Sequence, residues 1–296
     1  MLTTKEAGDR DPFGTSAQAV NAEKLISTAQ ERAAVAGALA ALRRDGYVIL
    51  ENLMPPAALD ALRAELDRLN AATPWGRYEF EGRRTHRVYN LFGKTRAADP
   101  FAMNPTVIAL AESYFDDQVQ LSVGQGMTIY GGQSAQPLHR DDGHYGLARP
   151  RPPFVVACLW ALDDFTPENG GTNFVPRSHL RVDETPPDDA PTVACMTAGS
   201  VLVYDGGLWH GGGAATRSDA RRRAINILYT RPWLRQQENQ YLSIRPAELL
   251  ALPKLMQRLL GYWIYGFTLG VVNGETPQNA LHAWMRTDHD HSTNRP

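Results

Sequence analysis

The sequence predicts a mainly β fold with helical additions, and two observations support this prediction. Helical patterns fill much of roughly the first 115 residues, and after about residue 118 the chain changes to short β-type segments broken by Gly, Pro, Asn and Asp. No repeat period and no low-complexity linker divides it. Helices followed by many short strands are typical of an all-β core with helices packed on its outside.

The predicted helices have apolar residues at helical spacing and common start or stop residues at their ends. They are Glu31–Arg44, a helix opened by Pro55 and Pro56, a helix opened by Asn104 and Pro105, and Pro246–Leu260. Pro253 lies inside the last of these, so we expect it to kink or divide that helix.

The predicted strands are short runs of β-favouring residues between turn residues. They are Tyr47–Leu50, Val119–Val123, Met127–Tyr130, Phe154–Leu162, Val201–Tyr204 and Ala224–Thr230. A further stretch, Leu259–Val272, has no charged residue, and we expect a buried helix, a pocket wall or a subunit contact there.

Composition excludes several classes of partner. The 296 residues include 30 Lys and Arg against 32 Asp and Glu, a net charge of −2, and 43% are hydrophobic. A nucleic-acid binder or a peripheral membrane protein normally has a basic block, which this chain lacks. The longest unbroken apolar run, Phe154–Leu162, is far shorter than the about 20 residues that span a bilayer. We therefore expect a small-molecule partner, no nucleic acid and no membrane.

The ends of the chain and its cysteines indicate how it is organised. We expect residues 1–28 to be a disordered lead-in, residues 29–285 a single domain and residues 286–296 a polar tail. The lead-in does not resemble a secretory signal, and Cys158 and Cys195 belong to no disulfide or metal motif. These features favour a cytoplasmic protein, and the uncharged C-terminal stretch leaves room for a homodimer.

A constellation of four residues carries the predicted chemistry. His139 and Asp141 lie two residues apart, so in an extended segment their side chains share a face and one metal can bridge them. His210 follows a predicted strand and precedes three glycines, which let a ligand approach closely. Two imidazoles and one carboxylate suit the facial site of a non-haem Fe(II) oxygenase. Arg222 could hold the distal carboxylate of a dicarboxylic cosubstrate.

With these residues in place, the chain resembles the phytanoyl-CoA dioxygenase-like family of Fe(II)/2-oxoglutarate oxygenases, from about Asp45 to Leu260. It is most similar to the branch with fungal indole-alkaloid and meroterpenoid oxygenases. The stretches that carry the resemblance are Arg87–Leu91, Ala135–Asp142, Glu168–Thr172, Val175–His179, Trp209–Gly213 and Leu255–Tyr262.

The resemblance implies a fold and a set of site residues. The fold would be a double-stranded β-helix, the cupin-like jelly roll. The implied ligands of iron are His139, Asp141 and His210, and the implied contacts of 2-oxoglutarate are Arg222, Thr172 and Gln136. Arg221 and Arg223 are adjacent to Arg222, but alternation along a strand would point them away.

The resemblance also implies the reaction. With Fe(II), O₂ and 2-oxoglutarate, the enzyme would oxidise, most simply hydroxylate, a C–H bond of a small and largely apolar molecule in secondary metabolism. 2-Oxoglutarate would be decarboxylated to succinate and CO₂. The alternatives are an acyl-CoA hydroxylase of the phytanoyl-CoA type, a cupin-like metal-dependent isomerase or hydrolase, and a 2-oxoglutarate-sensing protein without catalysis.

Substrate contacts are the least specified part of the site. Tyr89 and Asn90 precede the predicted β core in a position that borders the pocket in relatives, and His144 lies three residues beyond Asp141. We take these three as candidates for the substrate pocket. Packing in the core and a surface loop are the alternatives.

Overall fold

The computed structural model describes residues 26–292, with side chains as far as Arg286. The α-helices are α1 (Ala29–Asp45), α2 (Pro56–Asn70), α3 (Asp99–Ala102), α4 (Pro105–Phe115), α5 (Gln240–Ser243), α6 (Pro246–Ala251), α7 (Lys254–Leu259) and α8 (Pro277–Ser292). The strands are β1 (Tyr47–Leu50), β2 (Thr85–Val88), β3 (Gln120–Tyr130), β4 (Val155–Ala161), β5 (Asn173–Phe174), β6 (Thr192–Val193), β7 (Val201–Asp205), β8 (His210–Gly211) and β9 (Arg221–Thr230).

The N-terminal helix begins and ends at residues that favour helix termini. Thr28 and Glu31 form a reciprocal capping box, in which the Thr28 hydroxyl accepts from the Glu31 amide at 3.1 Å. Gly46 ends α1 in the left-handed region, with φ of 83°. Residues 1–25, which hold most of the predicted lead-in, lie outside the described residues.

The strands form two sheets with antiparallel neighbours. The larger sheet has the order β1-β7-β4-β9-β3-β2, and the smaller has the order β6-β5-β8. The predicted segments Val119–Val123 and Met127–Tyr130 belong to one strand, β3, which has a bulge between Leu121 and Val123. Gly124 interrupts the sequence pattern because a Cβ there would overlap the ring of Phe92.

The larger sheet separates two hydrophobic layers. Trp160 on β4 faces the helices, where its ring meets Phe101 edge-on with centroids 5.4 Å apart. The preceding residue, Leu159, points to the opposite face and packs in the layer that contains Phe174 of the smaller sheet. The inner face of β4 and β7 therefore looks into the space between the two sheets.

The C-terminal region follows the predicted break. Pro253 separates α6 from α7, as the sequence predicts. The uncharged stretch beyond Leu259 forms turns and isolated bridges rather than a helix, and Phe267 within it is 78% exposed. Helix α8 extends to Ser292, so the predicted polar tail begins inside a helix. Within residues 26–292, no helix is long and apolar enough to cross a membrane.

Candidate active site

Three side chains from two segments meet between the two sheets. His139 and His210 are antiparallel partners, and each backbone N–H donates to the other's carbonyl, at 2.8 and 3.0 Å. Asp141 lies two residues beyond His139, and ligand atoms of all three residues lie within 4.8 Å of one another. The carboxylate of Asp141 lies 3.7 Å from Nε2 of His139 and 3.5 Å from Nε2 of His210. One metal ion could bind to all three residues.

Backbone carbonyls orient both imidazole rings. Nδ1 of His139 lies 3.1 Å from the Pro137 carbonyl, and Nδ1 of His210 lies 3.0 Å from the Leu208 carbonyl. Because a carbonyl can only accept, each Nδ1 carries the proton and each Nε2 keeps a lone pair for a metal. Burial, followed by the proximity of His210, lowers the pKa of His139 to about 4. His139 is therefore neutral at pH 7, the form that a metal requires.

The hydroxyl of Tyr204 contacts two of the three groups. It donates to Oδ2 of Asp141 at 3.0 Å and lies 3.1 Å from Nε2 of His210. Tyr204 is on β7 and is buried. Burial raises the pKa of this phenol well above its usual value, so the hydroxyl keeps its proton and donates it to the carboxylate.

Arg222 points toward these groups, whereas its two neighbours point away. Because side chains alternate along β9, Arg221 and Arg223 lie on the other face of the sheet, and both pair with Asp67 there. Arg222 itself is 1% exposed. It is therefore the arginine of the three that can serve the space between the sheets.

The guanidinium of Arg222 has unused hydrogen-bonding capacity. Its Nη2 donates to the carbonyl of Gly170, while its Nε and Nη1 are buried without a hydrogen-bond partner among residues 26–292. Burial, followed by repulsion from Arg87, lowers the pKa of Arg222 to about 9. The group thus stays charged at neutral pH, with buried donors available for an anion.

Thr172 and Gln136 both line the same space, with different hydrogen bonding. The Thr172 side chain is buried, and its hydroxyl bonds to no other group in the described part of the chain. The Gln136 amide is already engaged: its Oε1 accepts from Gly212 N at 3.0 Å, and its Nε2 donates to the Phe80 carbonyl at 3.0 Å. Thr172 therefore has a free donor. The Gln136 side chain instead links the segment of Phe80 to the glycine-rich segment that contains Gly212.

One cavity of about 190 Å³, which we call the oxidation pocket, is lined by the three candidate ligands together with Tyr204, Arg222, Thr172 and Gln136. Its apolar wall includes Phe80, Met127, Ile129 and Leu159, and its polar wall includes Arg87, Gln125, Asn226 and Gln237. The ring of Phe80 meets His139 nearly edge-on, with centroids 4.8 Å apart. Phe80 thus forms the part of the wall that contacts His139.

The three candidate substrate residues are placed differently. His144 lines the oxidation pocket, from the short 3₁₀ helix Gly143–Tyr145. Tyr89 and Asn90 are not among the lining residues. The Tyr89 hydroxyl lies 3.3 Å from Glu81, and the backbone N–H of Asn90 donates to the Glu238 carboxylate at 2.5 Å.

Tyr204 and Asn226 are pocket residues that the sequence analysis missed. Strand alternation would have identified both, because Asn226 is four residues beyond Arg222 on β9 and Tyr204 lies two residues beyond the inward-facing Leu202 on β7. Phe80 belongs to an irregular segment, so no periodic signal points to it.

The fold and the site define a class of protein. Its members hold one metal ion between two sheets, in a cavity that a buried arginine also lines. The family described as phytanoyl-CoA dioxygenase (PhyH) matches residues 42–224, which is more than half of the chain. The chain therefore belongs to the phytanoyl-CoA dioxygenase family, as the sequence resemblance predicts, and it is a dioxygenase.

Curated relatives agree with this assignment. The chain is 30% identical over 290 residues to the dioxygenase swnH1 of Metarhizium robertsii, covering 84% of this chain and 89% of that protein. It is 29% identical to the dioxygenase cdmA of Talaromyces verruculosus, covering 84% of this chain and 86% of that protein.

Solved structures establish the fold. A non-haem alpha-ketoglutarate-dependent epimerase, SnoN from nogalamycin biosynthesis, superposes with a TM-score of 0.59 at 22% identity, covering 68% of this chain and 84% of SnoN. HygX from Streptomyces hygroscopicus, solved with nickel, 2-oxoglutarate and hygromycin B, superposes with a TM-score of 0.57 at 16% identity. The match covers 68% of this chain and 88% of HygX. The fold is therefore the cupin-like jelly roll, which confirms the predicted fold class.

Proposed function

We propose that this dioxygenase uses Fe(II), 2-oxoglutarate and O₂ to oxidise a C–H bond of a small organic molecule, most simply by hydroxylation. One observation carries the proposal: His139, Asp141 and His210 converge in the same cavity as the buried, unsatisfied guanidinium of Arg222. A zinc-dependent hydrolase or isomerase would have no use for a buried cation placed there to receive a dicarboxylate.

The donor set fits Fe(II). Two neutral imidazole nitrogens and one carboxylate are the ligands of a facial non-haem iron site, which leaves positions open for a cosubstrate and O₂. His139 and His210 present Nε2 because their Nδ1 atoms are held by carbonyls. The hydrogen bond from Tyr204 fixes the orientation of the Asp141 carboxylate.

The polar end of the pocket fits 2-oxoglutarate. Arg222 offers two buried donors to one carboxylate, and the hydroxyl of Thr172 is free to donate a further hydrogen bond. The amide of Gln136 bonds to the Phe80 carbonyl and to the Gly212 N–H. It therefore contributes to cosubstrate binding by holding these two segments in position.

When bound, iron with 2-oxoglutarate and O₂ supplies the oxidising chemistry, and 2-oxoglutarate leaves as succinate and CO₂. The residues of the chain bind, orient and shield the reactants. The larger sheet and Phe80 form part of the pocket wall around the three ligands, and Arg222 would fix the end of the cosubstrate that does not react. The position of one substrate C–H bond relative to the metal then decides where oxidation occurs.

The pocket wall refines the substrate class. Phe80, Met127 and Leu159 suit the predicted apolar body of a secondary metabolite. Arg87, whose side chain is largely buried, and Gln237 line the same cavity, so the proposed substrate also carries a polar or anionic group. Because Arg87 already donates to the Glu81 and Phe80 carbonyls but forms no ion pair within residues 26–292, this substrate group would balance its charge rather than supply a missing hydrogen bond.

Anaerobic reconstitution tests the proposal. We expect the apoprotein to develop a weak visible charge-transfer band when Fe(II) and 2-oxoglutarate are both added, and to form succinate when O₂ is admitted. His139→Ala should abolish the band because one ligand is lost. No band in the wild-type protein, or the same band in His139→Ala, would contradict the assignment.

Arg222 has a matched control in the adjacent residue. In Arg222→Gln the concentration of 2-oxoglutarate that gives half of the full band should rise about 100-fold, because a charged, two-donor contact is lost. Arg221→Gln removes an exposed arginine on the opposite face of β9 and should leave this concentration unchanged. Equal effects of the two substitutions would place the cosubstrate elsewhere.

The proposal includes a compartment and an assembly state. Cys158 and Cys195 are both free, which supports the reducing environment of the cytoplasm. Exposed apolar side chains of the uncharged C-terminal stretch, Phe267 and Leu269, support a homodimer that covers them.

A further inference from the structure

A second cavity, of about 360 Å³, shares no lining residue with the oxidation pocket. Its lining includes two acidic residues, Asp142 and Asp205, and the exposed Leu180. Four arginines line it: Arg43, Arg149, Arg151 and Arg231. We call it the arginine cavity.

A single carboxylate serves two of the four arginines. Asp142 accepts from Nη2 of Arg149 at 2.5 Å with one oxygen and from Nη2 of Arg151 at 2.6 Å with the other. The next carboxylate, that of Glu184, is 3.8 Å from Nε of Arg149, too far for a hydrogen bond, and its side chain is 71% exposed. Two largely buried guanidinium groups therefore share one buried negative charge.

Asp205, the other acidic residue of the lining, bonds to groups other than the arginines. Its carboxylate accepts from the Tyr114 hydroxyl at 2.7 Å and from the Gly207 amide at 2.6 Å. Among residues 26–292 it forms no ion pair with an arginine, and burial raises its pKa. Arg231 is balanced by Asp117, at 3.3 Å. Within residues 26–292, Asp142 is thus the one carboxylate at hydrogen-bond distance from Arg149 and Arg151, and Arg43 has none.

The arginines also have unused donors. The Nε atoms of Arg149 and Arg151 are buried and have no hydrogen-bond partner within the described residues, and the side chains are only 7% and 10% exposed. Arg43 uses one nitrogen, which donates to the Ser113 carbonyl at 3.2 Å. Buried cations with unpaired donors are strongly disfavoured unless a counter-charge joins them.

We propose that the arginine cavity binds a dianionic phosphate- or sulfate-type oxyanion, either free or as the terminal group of a larger molecule. Such an ion places negative charge beside two buried arginines that share one carboxylate, and its several acceptor oxygens can bond to guanidinium edges that arrive from different directions. The site is separate from the oxidation pocket, because adjacent residues, Asp141 and Asp142, face the two cavities. It does not depend on the proposed function.

Calorimetric titration with inorganic phosphate, at constant ionic strength set with NaCl, tests the proposal. The wild-type protein should bind about one phosphate saturably, and its melting temperature should rise over the same concentration range. Glucose 6-phosphate, titrated in parallel, distinguishes a site for a free ion from a site for the terminal phosphate of a larger molecule. Binding of phosphate alone supports a free ion, and equal or tighter binding of the ester supports the terminal group of a larger molecule.

Two substitutions with one control make the test specific. Leu180→Glu places a carboxylate on the cavity wall at an exposed position and should weaken phosphate binding at least tenfold. Leu242→Glu adds the same charge at a residue that is 85% exposed and outside the cavity, and should bind as the wild type does. Arg43→Gln removes a cation that is largely free of structural partners and should also weaken binding.

The oxidation pocket supplies an internal check. Formation of the Fe(II) and 2-oxoglutarate band should be the same in Leu180→Glu as in the wild-type protein, since that residue lies outside the pocket. The proposal is overturned if neither phosphate compound binds saturably, or if Leu180→Glu and Leu242→Glu bind phosphate equally.

Discussion

The hydroxyl of Tyr204 shows how one buried atom can govern the whole site. It donates to Asp141 and lies beside His210, so it limits the positions that both groups can occupy. Groups that hold a metal ligand by hydrogen bonds typically change metal affinity by 10- to 100-fold when removed. Tyr204 is therefore a positioning residue, because it acts through the ligands.

We expect Tyr204→Phe to raise the dissociation constant for Fe(II), or for Mn(II) as a substitute, about tenfold, since the Asp141 carboxylate loses its donor. Anaerobic calorimetry measures this constant directly. Tyr229→Phe is the matched control, because the Tyr229 hydroxyl is also buried but donates to the Ala102 carbonyl on the helix side of the sheet. If both variants bind metal like the wild type, Tyr204 has no positioning role.

Single-residue patterns determined much of the predicted site. The spacing of His139 and Asp141 places them on one face of an extended segment, and the structure has both within reach of one ion. Tyr89 and Asn90 were placed by resemblance alone, without a periodic pattern, and neither lines the oxidation pocket. The roles of the site residues stay predictions until the metal and cosubstrate experiments are done.

At the scale of elements, two glycine-containing segments pack against each other at the end of the pocket that Thr172 and Arg222 line. A Cβ on Gly213 would overlap the backbone carbonyl of Gly171, in the turn that carries Gly170 and Thr172. A Cβ on Gly212 would lie 3.6 Å from its nearest neighbour, the Gln136 side chain, which is ordinary contact. Neither Gly212 nor Gly213 has a positive φ, so the two positions differ only in the room that each leaves for a Cβ atom.

Gly213→Ala should therefore lower the free energy of unfolding by about 1–3 kcal/mol, because the clash is with backbone that cannot rotate away. Gly212→Ala should change it by less than about 0.5 kcal/mol. Urea unfolding followed by tryptophan fluorescence compares the two variants. An equal loss in both would mean that the two segments move apart at little cost.

Element prediction succeeded where pattern and packing agreed. The helix that ends at Gly46 and the division at Pro253 follow from backbone rules that tertiary contacts do not change. β3 was predicted as two strands because Gly124 breaks the pattern of β-favouring residues. The reason for that glycine is a close approach of Phe92, which is more than 30 residues away in sequence and invisible to a local pattern.

At the scale of the molecule, the fold class could be predicted because the order of helices and strands already limits the architecture. The joining of distant segments could not be predicted from periodicity. The bridge between His139 and His210 and the inward face of β9 bring residues together that are up to 83 positions apart, from His139 to Arg222. Resemblance to a family supplied that step in the sequence analysis.

Metal binding should consequently stabilise the molecule as a whole. Its proposed ligands come from the segment after β3 and from β8, so a bound ion joins parts of the chain that separate on unfolding. An ion present at 100 times its dissociation constant adds about 2.7 kcal/mol, which corresponds to a rise in melting temperature of roughly 5 °C for a chain of this size. Chelator-treated protein, melted with and without Mn(II), measures the rise. His139→Ala should lose it, whereas His282→Ala, which removes an exposed histidine of α8, should keep it. An equal rise in both variants would show that the ion binds outside the three-residue site.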